Sequence, residues 1–282
     1  MTDFHHAVDV LRFAVKTEEP CALVCVTDIY GGSMRAKGAL MAVTPTKTAG
    51  YISNGCVDGD IVFQARETQT PLFLVYGEGS PFKDIALPCG GSIKVLVHPK
   101  PDQVHLSQVL RQLEVRKEAI LSLGDWTGHY KPKLRVRIAG RGAAMNALGR
   151  QSLQSGFEVH LQSPDTGMMG YDRVDHLTDP SAPPDVKDDP WTALVLMFHD
   201  HAWEGALLEQ ALLGEAFYIG AMGSDRTHAG RKAMLSERGV SPKSIARIHG
   251  PIGIIPTMRD ANLLALSTLA EIVQSAQDKG RL

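Results

Sequence analysis

Apolar residues recur in two different rhythms along this chain. Phe4, Val8, Leu11 and Val15 fall at helical spacing, which predicts a helix over residues 4–16. Residues 22–27 form a β-rich run that leads into the glycine loop Tyr30-Gly31-Gly32-Ser33. Further strands are expected at 39–43, 72–76 and 93–97, with a helix at 57–69 between the first two of these. Leu106, Val109, Leu110 and Leu113 repeat at i, i+3, i+4 and i+7, so residues 102–114 read as another helix. A strand at 119–123 precedes the polar stretch 124–132, and a domain boundary is placed there, near residue 130.

Beyond that point strands and helices alternate. A strand at 134–139, a helix at 143–155 stopped by Gly156, and a strand at 158–162 make one βαβ unit. A long turn-rich segment carries Pro164, Pro180, Pro183, Pro184 and Pro190. Then come a strand at 192–198, a helix at 203–213, a strand at 216–219, a helix at 225–238 and a last helix near 260–276. This alternation predicts a parallel, doubly wound sheet. The expected fold is α/β: a Rossmann-like C-terminal domain over 131–282, preceded by a smaller mixed α+β domain over 1–130.

Composition narrows the class of protein. At 282 residues the chain suits one large or two modest domains, taking roughly 100–200 residues per domain. A hydrophobic fraction of 44% supports an ordinary core. Net charge of −2 gives no electrostatic reason to expect nucleic acid or a membrane surface. The apolar run 192–198 is far too short to span a bilayer. The first residues, Met1 to His6, lack a basic-then-apolar signal region. Four cysteines in a chain this long read as reduced thiols. The expectation is a cytoplasmic protein without nucleic-acid or membrane partners.

The second domain opens with part of a dinucleotide-binding fingerprint. Val136-Arg137-Ile138-Ala139 runs into Gly140-Arg141-Gly142, and an Ala-rich stretch follows. Such glycines allow a tight turn and bare backbone against a phosphate at a helix start. The third glycine position holds Met145, and the second strand ends in Gln162-Ser163 rather than a ribose-binding acid. A standard NAD is therefore a poor occupant. Arg141 would accept a 2′-phosphate, which keeps an NAD(P)-dependent oxidoreductase as the alternative reading.

Other motifs carry chemistry, each beside a plainer explanation. The loop Gly31-Gly32-Ser33-Met34-Arg35-Ala36-Lys37-Gly38 offers backbone N–H groups and two cations to an anion; taken alone it reads as an ordinary strand connection. Gly55-Cys56 comes just before a predicted helix, where the dipole favours thiolate. Cys89-Gly90-Gly91 forms a second Cys-Gly turn. Neither cysteine has zinc-type spacing, and both also read as small buried residues at tight turns. Cys21 and Cys25 share one face of an apolar strand and read as core. His199-Asp200-His201 follows an apolar strand and offers a metal or proton site, with solvated loop residues as the stronger reading. In Gly220-Ala221-Met222-Gly223-Ser224-Asp225-Arg226, Ser224 is a natural helix cap, and the helix start with Arg226 suits an anion. Gly239 is a plausible stop for that helix. His249-Gly250-Pro251-Ile252-Gly253 reads as a rigid turn beside the same cleft.

In their order along the chain these residues resemble the XdhC/CoxI family of xanthine dehydrogenase accessory proteins. The first half is similar through the run from Gly32 to Met41, through Gly55-Cys56-Val57-Asp58-Gly59 and through Cys89-Gly90-Gly91. The second is similar through Gly140-Arg141-Gly142, His199-Asp200-His201, the run from Tyr218 to Arg226, His249-Gly250-Pro251-Ile252-Gly253 and Ser267-Thr268-Leu269-Ala270-Glu271-Ile272. The resemblance implies an accessory factor rather than a catalyst. Such a factor binds the molybdenum cofactor (molybdopterin), protects it while its sulfido ligand is installed, and delivers it to a xanthine dehydrogenase-type molybdenum hydroxylase. It also implies contact with a cysteine desulfurase, and a homodimer. On this reading Cys56 and Cys89 are the metal contacts, soft thiolates facing molybdenum or its sulfur. Gly32, Ser33, Arg35, Gly90, Gly140, Gly142, Gly223, Ser224 and Arg226 would hold the rest of the cofactor, its phosphate included. The chain departs from the family pattern at Arg141 and Ala143 around Gly142, at Ser163 with Asp165 two residues on, at Arg259-Asp260-Ala261, and at Asp58, where glutamate is usual.

Overall fold

The computed structural model describes residues 6–77, 90–199 and 201–282. Its contacts divide the chain into two compact units, Met1–Pro132 and Lys133–Leu282.

The first unit runs α1 (Ala7–Lys16), β1 (Ala22–Tyr30), β2 (Leu40–Val43), β3 (Thr48–Gly50), α2 (Asp58–Glu67), β4 (Leu72–Gly77), β5 (Ser92–His98), α3 (Gln103–Glu114), β6 (Ala119–Leu123) and β7 (Trp126–Tyr130). Five strands pair antiparallel in the order β3-β2-β1-β5-β4. β1 is apolar at nearly every position because both of its faces are covered. Leu23 and Cys25 enter a core shared with Leu11 of α1 and Leu106 and Leu110 of α3. Val24 and Val26 turn to the other face and pack with Ile61 and Ala65 of α2. The period-2 rule thus appears as two interleaved apolar sets rather than as alternation.

The polar stretch 124–132 is not a bare connection. Trp126–Tyr130 is a strand paired with β6 through a turn at Gly124, whose φ is +62°. Thr127 and His129 point to solvent while Tyr130 enters the core. The alternation was hidden because its outward residues are polar and one inward position is a glycine. Tyr130 then donates to the Gly38 carbonyl at 2.9 Å, tying the hairpin to the glycine loop.

The second unit runs β8 (Arg135–Gly140), α4 (Gly142–Gln154), β9 (Glu158–Ser163), β10 (Arg173–His176), β11 (Thr192–Met197), a 3-10 turn (His201–Trp203), α5 (Glu204–Leu213), β12 (Tyr218–Ala221), α6 (Asp225–Glu237), α7 (Pro242–Ile245), β13 (Ile248–His249) and α8 (Ala261–Asp278). Its six strands are parallel in the order β10-β9-β8-β11-β12-β13. Strand order reverses between β8 and β11, the place where a doubly wound sheet opens a crevice at its carboxyl ends. α4 and α8 cover one face through Leu148 and Ile272; α5 and α6 cover the other through Leu208 and Leu235.

Two short strands escape the apolar pattern. β10 lies inside the proline-rich segment and is almost entirely exposed, so it reads as loop in sequence. β13 occupies the start of the expected turn at 249, as a two-residue edge strand on β12. In the middle of β8, Arg137 is fully buried on the α5 face. It grips Asp188 with both Nε and Nη2, at 2.8 and 2.5 Å, and donates to Gln162 at 2.7 Å. Burying a guanidinium is tolerable only with that many partners.

Candidate functional site

In the first unit, pairing register decides which turns meet. β1 and β5 pair through Tyr30 and Ser92, so the residues after one and before the other lie side by side. A Cβ on Gly91 would fall 2.1 Å from the Gly32 carbonyl oxygen. A Cβ on Gly77, at the end of β4, would fall 2.1 Å from the Gly91 oxygen. Three strand ends therefore meet backbone to backbone, and only glycine fits. The sequence pointed to Gly32 and Gly90; nothing in it singled out Gly77.

The loop above that contact is closed on itself. Ser33 Oγ accepts from the Arg35 N–H at 3.3 Å and donates to the Arg35 carbonyl at 2.8 Å. The Arg35 guanidinium sits 4.6 Å over the Tyr51 ring, a cation–π contact. Tyr51 leads directly into the turn that carries Cys56. That turn is organised by Asp58, a buried carboxylate that accepts from the N–H groups of Ile52, Ser53 and Gly55 at 2.8, 2.9 and 2.6 Å. Ser53 Oγ in turn accepts from the Val57 N–H at 2.9 Å, in the manner of a helix cap.

Cys56 lies one residue before the cap residue Val57 and is exposed. Gly55 beside it has φ of +108°, and a Cβ there would meet nothing within 4 Å. Gly90, with φ of +68°, is equally open. Cys89 lies outside the described residues. Cys21 and Cys25 are core residues, and burial pushes their thiols up to about 11 and 12. The contrast leaves Cys56 as the accessible thiol among the described cysteines.

In the second unit, Gly140 ends β8 so close to β11 that a Cβ would lie 2.5 Å from the Met197 oxygen. Gly142 opens α4 with φ of +82°, and a Cβ there would meet nothing within 4 Å. Met145, in place of the fingerprint's third glycine, is fully buried in the core beneath α4. The ribose position is similarly diverted. Gln162 bonds Arg137 and Asp175, while Ser163 Oγ accepts from the Asp165 N–H. Asp165 faces Arg141 at 3.7 Å, with both side chains about half exposed. The residue suited to a 2′-phosphate thus already has an anionic neighbour.

Ser224 caps α6, accepting from the Thr227 N–H at 3.2 Å, and Gly223 before it has φ of +142°. Gly239, at φ +84°, follows the end of α6 as the expected stop. Arg226 is exposed in the first turn of α6. His199 is exposed, Asp200 lies outside the described residues, and His201 begins the 3-10 turn. Among the described residues, no three His, Cys, Asp or Glu side chains cluster as a metal site. No helix among them is long and apolar enough to cross a membrane.

Taken together, the second unit is a Rossmann-type fold whose β8–α4 turn keeps two glycines of the dinucleotide fingerprint and carries buried Met145 at the third position. The chain belongs to the XdhC/CoxI family. Residues 136–272 match the XdhC Rossmann domain, and residues 14–77 match the XdhC and CoxI family pattern. It is 33% identical to the molybdenum cofactor insertion chaperone PaoD of Escherichia coli (strain K12), over 96% of this chain and 89% of that protein. A solved structure described as a xanthine dehydrogenase from Bacillus halodurans shares the fold, with a TM-score of 0.77 over 99% of this chain and 96% of that one, at 20% identity.

Proposed function

We propose that this protein is a molybdenum cofactor insertion chaperone, holding the cofactor for a xanthine dehydrogenase-type molybdenum hydroxylase. The observation that carries this is the exposed Cys56 thiol on a turn fixed by Asp58, beside the open backbone of Gly55. The bound group would supply molybdenum with sulfur ligands, which soft thiolates suit. In the first unit Gly32, Ser33, Arg35, Cys56 and Gly90 would hold it, with Cys89 as a second thiol. Gly140 and Gly142, and Gly223, Ser224 and Arg226, would receive a phosphate at the starts of α4 and α6. Sulfuration support, a cysteine desulfurase partner and a homodimer belong to the same reading, as does residence in the cytoplasm.

The test is purification from cofactor-producing cells under reducing, anaerobic conditions. Oxidised pterin fluorescence and bound molybdenum are then measured for the parent and for Cys56→Ser. Retention in the parent with loss in the variant is the expected result. Protein that carries neither, and that also fails reconstitution, overturns the reading. A nicotinamide enzyme would instead bind NADH or NADPH, and nucleotide titration followed by fluorescence separates the two.

A further inference from the structure

His249 lies at the carboxyl end of β13, and three elements besides its own strand converge on it. Across the β12–β13 ladder it sits opposite Gly220. The Tyr218 ring lies across that glycine, where a Cβ would come within 2.5 Å of the ring's Cε1. The same ring stacks on the His249 imidazole, with centroids 4.8 Å apart at 26°. From α8, Glu271 places Oε1 3.5 Å from His249 Nδ1. Its other oxygen accepts the Gly253 N–H at 2.6 Å, which fixes the carboxylate. From α6, His228 presses on Gly250, where a Cβ would lie 2.5 Å from the His228 Nδ1.

The imidazole is thus held on one face and through one nitrogen, yet its side chain stays 41% exposed. Nε2 is the nitrogen left for a ligand. An imidazole that gives Nδ1–H to a carboxylate can also donate from Nε2 only in its imidazolium form. Burial alone would raise the Glu271 carboxyl, but His249 and the Gly253 N–H outweigh it and hold it below the usual range.

The surrounding charges agree. Burial holds His228 toward neutrality, helped by Lys232, Arg231 and His249 itself and opposed by Asp225. Arg231 is committed to Glu204 at 2.8 Å and to the Met222 carbonyl. Burial, then Glu271, keeps Tyr218 from ionising. In this neighbourhood His249 combines a fixed orientation with a partly exposed side chain. The carboxyl end of a parallel sheet is where such folds take their ligands.

We infer that His249 is a ligand-facing residue that donates from Nε2 to a phosphate ester bound at the carboxyl ends of β12 and β13, with Glu271 as its positioning residue. This rests on the reading that the Rossmann-type unit receives a phosphate-bearing group.

The test uses the full chain labelled with 13C at histidine Cε1 and follows the His249 signal by NMR across pH. The signal is assigned by its loss in His249→Gln or His249→Asn. Saturating pyrophosphate is expected to raise the His249 midpoint by about one unit, equivalent to about tenfold tighter binding to the imidazolium form. Inorganic phosphate reproduces the full shift if the group recognised is a monoester, and a smaller one if it is a diphosphate. Glu271→Gln should shrink the pyrophosphate-induced shift and weaken pyrophosphate binding several-fold.

A midpoint unmoved by both anions overturns the inference, and because the titration is read in the parent protein, that outcome does not depend on a variant folding. An unmoved midpoint in protein that retains pterin and molybdenum removes this inference alone. A moved midpoint in protein that carries neither leaves the phosphate site standing without the cofactor reading.

Discussion

Gly91 and Gly32 approach so closely that a Cβ on the first would stand 2.1 Å from the carbonyl oxygen of the second. The obstacle is backbone, which cannot swing aside as a side chain would. Gly91→Ala should therefore destabilise the first unit by about 2–3 kcal/mol, in the upper range for overpacking. Urea unfolding followed by far-UV circular dichroism measures it, and a midpoint equal to the parent's would contradict the packing described.

Asp58 satisfies three backbone donors at once. Asp58→Ala leaves the Ile52 and Ser53 donors buried without partners, at roughly 1–3 kcal/mol each, while water can reach the exposed Gly55 N–H. The expected outcome is a lower unfolding midpoint together with a loosened Cys56 turn. Asp58→Asn keeps the shape but offers one acceptor oxygen, and should fall between the two.

Thiol reactivity should rank the described cysteines. Cys56 is exposed, whereas burial pushes Cys21 and Cys25 up to about 11 and 12. Brief iodoacetamide treatment of the native protein at pH 8, read by peptide mass spectrometry, should label Cys56 well before either core thiol. Equal labelling of Cys25 would mean that the β1 core opens readily.

The Arg137–Asp188 pair separates removal of one charge from removal of both. Arg137→Met leaves Asp188 buried and unpaired and should cost about 3–5 kcal/mol. Arg137→Met with Asp188→Leu should recover most of that loss, because the desolvation penalty goes with the charges. A double variant as unstable as the single would show that Gln162 and Gln210 depend on the guanidinium for their own order.

His160 gives the second unit an acid-sensitive contact. It bonds Asp175 at 2.7 Å, yet burial outweighs that carboxylate and pushes its pKa down to about 4. With the folded value below the unfolded one, the unfolded chain binds the extra proton between about pH 6.5 and 4. The contribution is complete above that window and is lost as pH falls through it, amounting to on the order of 3 kcal/mol. His160→Gln should flatten the decline in stability over that window, as judged from urea midpoints at several pH values.

Sequence reading succeeded where burial is two-sided. β1 is largely apolar and β11 almost wholly so, on both faces, so their runs stand out, and the alternation with helices then dictates a parallel sheet. It missed β7 and β10 because their outward residues are polar and few inward ones mark the period. The glycines and cysteines of the candidate site were legible as turn chemistry. Their meeting was not, since the approach of Gly77, Gly91 and Gly32 is set by strand register rather than by any local signal. The pairing of Glu271 with His249 was hidden for a related reason: Glu271 lies on a largely apolar helix, and His249 sits on a two-residue strand.

The loop after β13 takes two of its hydrogen bonds from α8. Gly253 and Ile255 donate to Glu271 and Ser267, both on α8, and a Cβ on Gly253 would strike Ser267 Oγ. During synthesis, then, β13 can pair with β12 while the Glu271 contact to His249 is still missing. The helix that follows must leave the ribosome before that contact forms, so the corner gains its second restraint later than the strand that carries it.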